Sequence, residues 1–146
     1  MSKISDLVAF AKTDITNEQR EVVLGNVANF QAQEINKITG VKINGAKRII
    51  TSSGIRHAIK EHGDNKEQIE RGQIGIIDSD FELIQDILNR PDRLVKGNDK
   101  RGKKSIMFIR LLGIKEYYIA MSLHPSNEDV KIIFNTMYIK KKADVN

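Results

Sequence analysis

The chain is expected to fold as an α+β domain, with its helices first and a small antiparallel sheet after them. Three observations carry that expectation. In the N-terminal half, apolar residues recur at the spacing of a helix with one buried face. Near the C-terminus, Ser105 to Leu111, Tyr117 to Leu123 and Val130 to Tyr138 are rich in strand formers. Only Gly113 and the turn His124 to Asp129, H-P-S-N-E-D, separate those runs, and connections this short join antiparallel neighbours.

Taken in order, Ile4, Leu7, Val8 and Ala11 place a short amphipathic helix over residues 4–11. Thr16-Asn17-Glu18-Gln19 has the T-x-x-Q pattern of a capping box. It opens a longer helix whose stripe is Val23, Val27, Phe30, Glu34 or Ile35, and Ile38, closed by Gly40. Thr39 to Lys47 carries two glycines and reads as a turn-rich connector, and Arg48 to Thr51 as a short strand. That strand feeds a helix capped by Ser52 or Ser53 and ended by Gly63 in the left-handed conformation. Beyond the polar stretch Asp64 to Gly72 and the block Gln73-Ile74-Gly75-Ile76, Asp78 or Ser79 caps a helix from Phe81 to Asn89, which Pro91 stops. Lys96 to Lys104 is a basic hairpin-like loop, read first as a solvated turn and second as a phosphate-contacting loop. Three to five antiparallel strands follow from the remainder. In the last, alternation puts Val130, Ile132, Phe134, Thr136 and Tyr138 on one face, and Lys140 to Lys142 form a basic tail.

With 146 residues the chain suits one domain with a core of ordinary size. Lys and Arg number 24 against 19 Asp and Glu, a net charge of +5, which is compatible with a phosphate-rich partner. The absence of cysteine excludes disulfides and thiolate metal sites. No apolar run approaches the ~20 residues of a membrane span, and the N-terminus lacks the features of a signal peptide. The expectation is a soluble, cytoplasmic domain with no membrane partner.

The stretch with chemical content is Ser52 to Asp64, S-S-G-I-R-H-A-I-K-E-H-G-D. Helical spacing puts Ile55, Ala58, Ile59 and His62 on one face and Arg56, His57, Lys60 and Glu61 on the other. Imidazoles titrate near neutrality, so one can take a proton while another gives one, and a lysine offers fixed charge to a pentavalent phosphate. The same residues also suit a solvated face with a hydrogen-bonded core histidine. The H-x-x-x-x-H spacing is not that of a zinc-protease helix, and the scattered acidic residues form no recognisable metal-ligand loop. No metal and no cofactor is expected. His124, before Pro125 in a turn, reads as a surface residue. Arg110, Tyr117, Tyr118 and Tyr138 lie on strands, where contact with phosphate or an unpaired base competes with packing.

Five blocks in order resemble the phage-associated nuclease families of the barnase–EndoU–colicin–RelE-like superfold. They are T-G-V-K-I-N-G-A-K (39–47), S-G-I-R-H-A-I-K-E-H-G (53–63), Q-I-G-I (73–76), S-I-M-F (105–108) and N-T-M-Y-I-K-K (135–141). The resemblance implies N-terminal helices packed on a small antiparallel sheet. It implies an N-terminal extension over 1–16, a nuclease domain over 17–142 and a tail over 143–146. It points to His57, Lys60, His62 and Thr136 as the catalytic set, without saying which histidine is base. Arg56, Arg110, Tyr138, Lys100 and Arg101 are the substrate-binding residues expected beside them.

The activity so implied is a metal-independent endoribonuclease, a phage-borne effector or toxin domain. It would cleave RNA by attack of the ribose 2′-OH to give a 2′,3′-cyclic phosphate. The partners implied are RNA, tRNA included, and an acidic immunity or antitoxin protein. The setting is a bacterial or phage-infected cell, with delivery from a phage particle or a larger toxin. The alternative is a catalytically silent RNA- or protein-binding module of a phage particle. A third reading is an enzyme on the same scaffold that acts on a nucleotide.

Overall fold

The computed structural model describes residues 3–99 and 102–142. Helix α1, Lys3–Thr13, buries Ile4, Leu7, Val8 and Ala11, the stripe its spacing predicts, in one core with the rest of the chain. The long second helix does not form. Strand β1, Glu21–Asn26, and helix α2, Asn29–Thr39, take its place. The Asp14 carboxylate accepts bonds from Thr16 N (3.2 Å), Thr16 Oγ1 (2.7 Å) and Glu18 N (3.0 Å), tying up the expected capping box in a turn. Gly25, at φ +85°, then breaks the helical path at an irregularity in β1. Phe30 and Val23, read as inward-facing, are 69% and 50% exposed.

Strand β2, Lys47–Thr51, runs without a connector into helix α3, Ser52–His62. The cap is Thr51, whose Oγ1 accepts Gly54 N (3.0 Å), rather than Ser52 or Ser53. Gly63 is right-handed at φ −88°, not left-handed. Asp64 caps a further helix, α4, Asn65–Glu70, inside the stretch read only as polar. Gln73–Ile74 forms the two-residue strand β3. The helix expected from Phe81 is a 3₁₀ turn over Asp78–Leu83 followed by α5, Ile84–Asn89. Neither Asp78 nor Ser79 caps it. The Asp80 carboxylate accepts Ile77 N (2.8 Å) and Tyr117 Oη (3.0 Å), while Asp78 pairs with Lys12 at 2.9 Å.

The rest is β4, Arg93–Lys96, β5, Ser105–Leu112, β6, Lys115–His124, and β7, Lys131–Lys141, so Lys140 and Lys141 belong to a strand rather than a tail. The sheet is seven-stranded and mixed, in the order β1-β2-β7-β6-β5-β4, with β3 also on β7. The expected meander, β5-β6-β7, is its antiparallel centre. A purely antiparallel sheet is excluded by β2, which pairs parallel with β7 after a long crossover. The architecture is α+β, with the helices contributing Ile35, Ile55, Ala58, Ile84 and Ile87 to a core closed by Phe108, Ile119, Met121, Ile132 and Phe134.

The expected alternation in β7 fails halfway. Ala120 pairs with Thr136 but Met121 pairs with Phe134, so Asn135 is an extra residue, a β-bulge. Beyond it Met137 and Ile139 join the core with Ile132 and Phe134, and Thr136 and Tyr138 leave that face. The opposite face carries the cross-strand row Ile49, Ile133, Ser122 and Ser105.

Candidate active site

A cleft of about 690 Å³ opens over that row. Ile133, Ser122 and Ser105 contribute to its lining. Thr51 at the end of β2 and Ser53, Gly54 and His57 from α3, with Gln19 and Glu21, line it on one side. Lys103 and His124 enter from the other end of the row.

Local sequence explains each wall. A Cβ on Gly54 would stand 2.9 Å from the Phe134 carbonyl oxygen. Glycine there lets the first turn of α3 lie against β7. His57 is one turn further on and exposed, on the side of the helix that also carries Ser53. Gln19 Oε1 accepts from Ser53 N (3.1 Å) and from Ser52 Oγ (3.2 Å), so the segment before β1 is pinned to the start of α3. The N–H groups of Ser52, Ser53 and Gly54 are taken by the Arg20 carbonyl, Gln19 Oε1 and Thr51 Oγ1, so α3 offers the cleft its dipole and no free N–H of these three.

His124 ends β6, where Pro125 follows. Its Nδ1 is 3.0 Å from Lys103 Nζ and its Nε2 is 2.9 Å from Ser122 Oγ. An ammonium only donates, so Nδ1 accepts and Nε2 carries the proton. Ser122 Oγ receives that proton's bond and donates its own to the Ile133 carbonyl (3.3 Å). Burial, then the charges of Lys103 and Lys131, hold the His124 pKa below the usual imidazole value. The ring is therefore neutral near pH 7 and in one tautomer, in a cleft whose charged lining is Lys103 at one end and Glu21 at the other.

The residues expected to act together are dispersed. His57 lines the cleft; His62, at the far end of α3, does not. His62 Nδ1 lies 3.1 Å from the oxygen of buried Gln68, whose amide nitrogen donates to the Glu61 carbonyl (2.9 Å). His62 therefore donates to Gln68 and joins α3 to α4. Its ring also lies 5.5 Å from that of Tyr138, which stacks on Tyr118 at 4.7 Å. Lys140 Nζ stands 5.1 Å from the Tyr118 ring centroid. Burial, then a hydrogen bond to Glu116, pushes the Tyr118 pKa up to about 12, and burial also raises that of Tyr138, so both stay phenols near neutrality. Lys60 is exposed and outside the cleft lining. Arg56 reaches back to the Glu18 carbonyl (3.4 Å). Arg110 is bound to Asp86 at 3.1 Å, on the helical side of the sheet. Thr136 Oγ1 is buried without a hydrogen-bond partner among the described residues. Lys100 and Arg101 lie outside the described residues.

Sequence reading gave no site role to Ser122 or Gln19, read His124 as a surface residue, and reached Lys103 only as one charge of the basic loop Lys96 to Lys104. The signal for His124 was present: S-L-H puts Ser122 and His124 on the same face of a strand. The charge of Lys103 was visible in its loop, but its contact with His124 was not, because the two are 21 positions apart.

Among the described residues no helix is long and apolar enough to cross a membrane, and no three His, Cys, Asp or Glu are grouped to hold a metal ion. No curated protein and no solved structure matches the chain. A family model does, over residues 25–146, which takes in the α3 face of the cleft from Thr51 to His57 together with Lys103, Ser122 and His124. The chain belongs to the phage-Barnase-EndoU-ColicinE5/D-RelE like nuclease3 family.

Proposed function

We propose that this nuclease-family domain is a metal-independent endoribonuclease, acting as a phage-borne effector or toxin. The observation that carries the reading is the pairing of His57 and His124 in one cleft, with His124 held neutral and proton-ordered between Lys103 and Ser122. An RNA phosphate entering the cleft draws the Lys103 ammonium onto a non-bridging oxygen and frees His124 Nδ1. That nitrogen takes the proton from the ribose 2′-OH, and the 2′-oxygen attacks the adjacent phosphorus. Lys103 stabilises the charge of the phosphorane, with the dipole of α3 as a weaker aid. His57, in its protonated form, gives a proton to the departing 5′-oxygen. The products are a 2′,3′-cyclic phosphate and a 5′-hydroxyl, so the atoms balance without water or metal.

This assignment keeps His57 from the expected catalytic set and adds His124 and Lys103. His62 becomes a positioning residue that fixes the end of α3. Tyr138 lies against His62, and neither it nor Thr136 lines the cleft. An acidic immunity or antitoxin protein would inhibit by covering Lys103 at the mouth of the cleft, with Lys104 and Lys131 beside it.

The test is incubation of the purified protein with RNA in excess EDTA. Fragments ending in a 2′,3′-cyclic phosphate are expected. DNA of the same sequence should survive, and a single 2′-deoxy residue 5′ of the cut should block that cut. Metal-dependent cutting of DNA, or RNA left intact, would overturn the proposal.

A further inference from the structure

Beyond His124 and Lys103 lies a second hollow of about 640 Å³, and these two residues line it as well as the active-site cleft. They therefore stand as a partition between two adjoining spaces. Val41 and Pro125 give the second space apolar surface, and Lys104 and Lys131 give it positive charge. Lys131 pairs with His124 across neighbouring strands, one position from the partition. Lys104 donates to the Thr39 carbonyl at 3.0 Å, which fixes its ammonium and leaves two of its three donors free. The one acid in the hollow, Asp129, already has Lys131 at 3.7 Å and Lys47 at 3.8 Å. Apolar surface for a base or ribose, with fixed cations beside it, is the chemistry that receives one unit of a nucleic-acid strand.

We propose that the second hollow is a nucleotide subsite, so that RNA spans both spaces with its scissile phosphate at the Lys103–His124 partition. The next phosphate along the strand then rests on Lys104 and Lys131. The inference builds on the ribonuclease reading and adds to it. Nucleotides are held on both sides of the cut, and the strand is gripped beyond the reacting phosphate.

The test is the double variant Lys104→Glu/Ser126→Asp. Ser126 Oγ accepts the backbone N–H groups of Glu128 (3.3 Å) and Asp129 (3.4 Å), bonds that an aspartate also accepts, so the turn is kept while a negative charge enters the hollow. Two substrates are compared. A dinucleoside monophosphate has no phosphate except the scissile one; a hexanucleotide has one to place on Lys104. Losing a charged phosphate contact should raise KM for the hexanucleotide by at least about tenfold with kcat unchanged. Assayed above the pH at which His124 titrates in either protein, KM for the dinucleoside monophosphate should change several-fold less than that for the hexanucleotide. A hexanucleotide KM that does not move, or one that rises equally for both substrates, overturns the subsite. A 2′-O-methylated hexanucleotide, which cannot be cut, separates this inference from the catalytic one. If wild type cleaves neither substrate, the catalytic reading fails by itself. The subsite then stands if the double variant binds the methylated strand more weakly by fluorescence anisotropy, and falls if binding is the same.

Discussion

Lys103 and His124 lie 21 positions apart in sequence and 3.0 Å apart in space, and that contact decides which imidazole nitrogen can act as a base. The lysine occupies Nδ1, Ser122 occupies Nε2, and only the lysine's bond is one an incoming phosphate would compete for.

A pH dependence follows, with a definite sign. His124 has its folded pKa depressed below the 6.5 of a free imidazole, by burial first and then by Lys103 and Lys131. Its base form therefore persists to lower pH, and the acid limb of kcat/KM should fall below the ordinary histidine value. Lys103→Met removes one depressing charge and should move that limb upward while lowering kcat. The same shift bears on stability. Below the unfolded pKa the unfolded chain binds more protons at this site, so its contribution is present above about pH 6.5 and is lost as pH falls through the folded value. An acid limb that stays in place in Lys103→Met would remove Lys103 from the site.

The two cleft histidines should respond to truncation differently from His62. His57 is exposed and its side chain makes no hydrogen bond among the described residues, so His57→Ala should change unfolding free energy by less than about 0.5 kcal/mol. It should nevertheless lower kcat by about 10² to 10⁴. His124→Ala should lose activity on the same scale with a modest stability cost. Urea titration beside single-turnover cleavage measures both quantities.

His62→Ala should do the reverse. It leaves the buried Gln68 oxygen without its donor, which should cost about 1–3 kcal/mol. Activity per folded molecule, measured well below the midpoint of unfolding, should be reduced far less than in His57→Ala. A larger activity loss in His62→Ala than in His57→Ala would return His62 to the catalytic set.

Gly54→Ala probes the seating of the helix. The added Cβ meets the Phe134 carbonyl oxygen at 2.9 Å and the Phe134 ring at 3.0 Å, and the carbonyl belongs to a paired strand. Relief requires α3 to move off β7, which should cost about 1–3 kcal/mol and carry His57 away from His124. Loss of cleavage with RNA binding largely kept is the expected pattern.

How much of this was legible depended on how far each contact reaches along the chain. Helix α3 was legible because its apolar stripe, cap region and end lie within a dozen residues, and the meander because Gly113 and the Pro125 turn are local signals. Strand β1 was hidden because Val22, Val23 and Leu24 are compatible with either period. What selected a strand was β2, whose Ile49 and Ile50 pair with Val23 and Val22. Thr136 was assigned to the wrong face because strict alternation cannot foresee an inserted residue. The cleft showed only its α3 side: His57 announced itself on a cationic helix, whereas His124 resembled a turn residue until Lys103 and Ser122 were placed around it.

The bulge at Asn135 has a consequence for how the chain finds its register. Its two flanking apolar sets, Ile132 with Phe134 and Met137 with Ile139, are out of step by one residue. An unbulged pairing with β6 can bury one set only by turning the other to the opposite face, since a one-residue slip inverts every side chain. Either shifted hairpin therefore turns two large apolar residues away from the face the helices cover, and a mispaired sheet is penalised when the helices dock. The odd residue acts as a proofreading step for the central hairpin, the element on which both histidine walls are later hung.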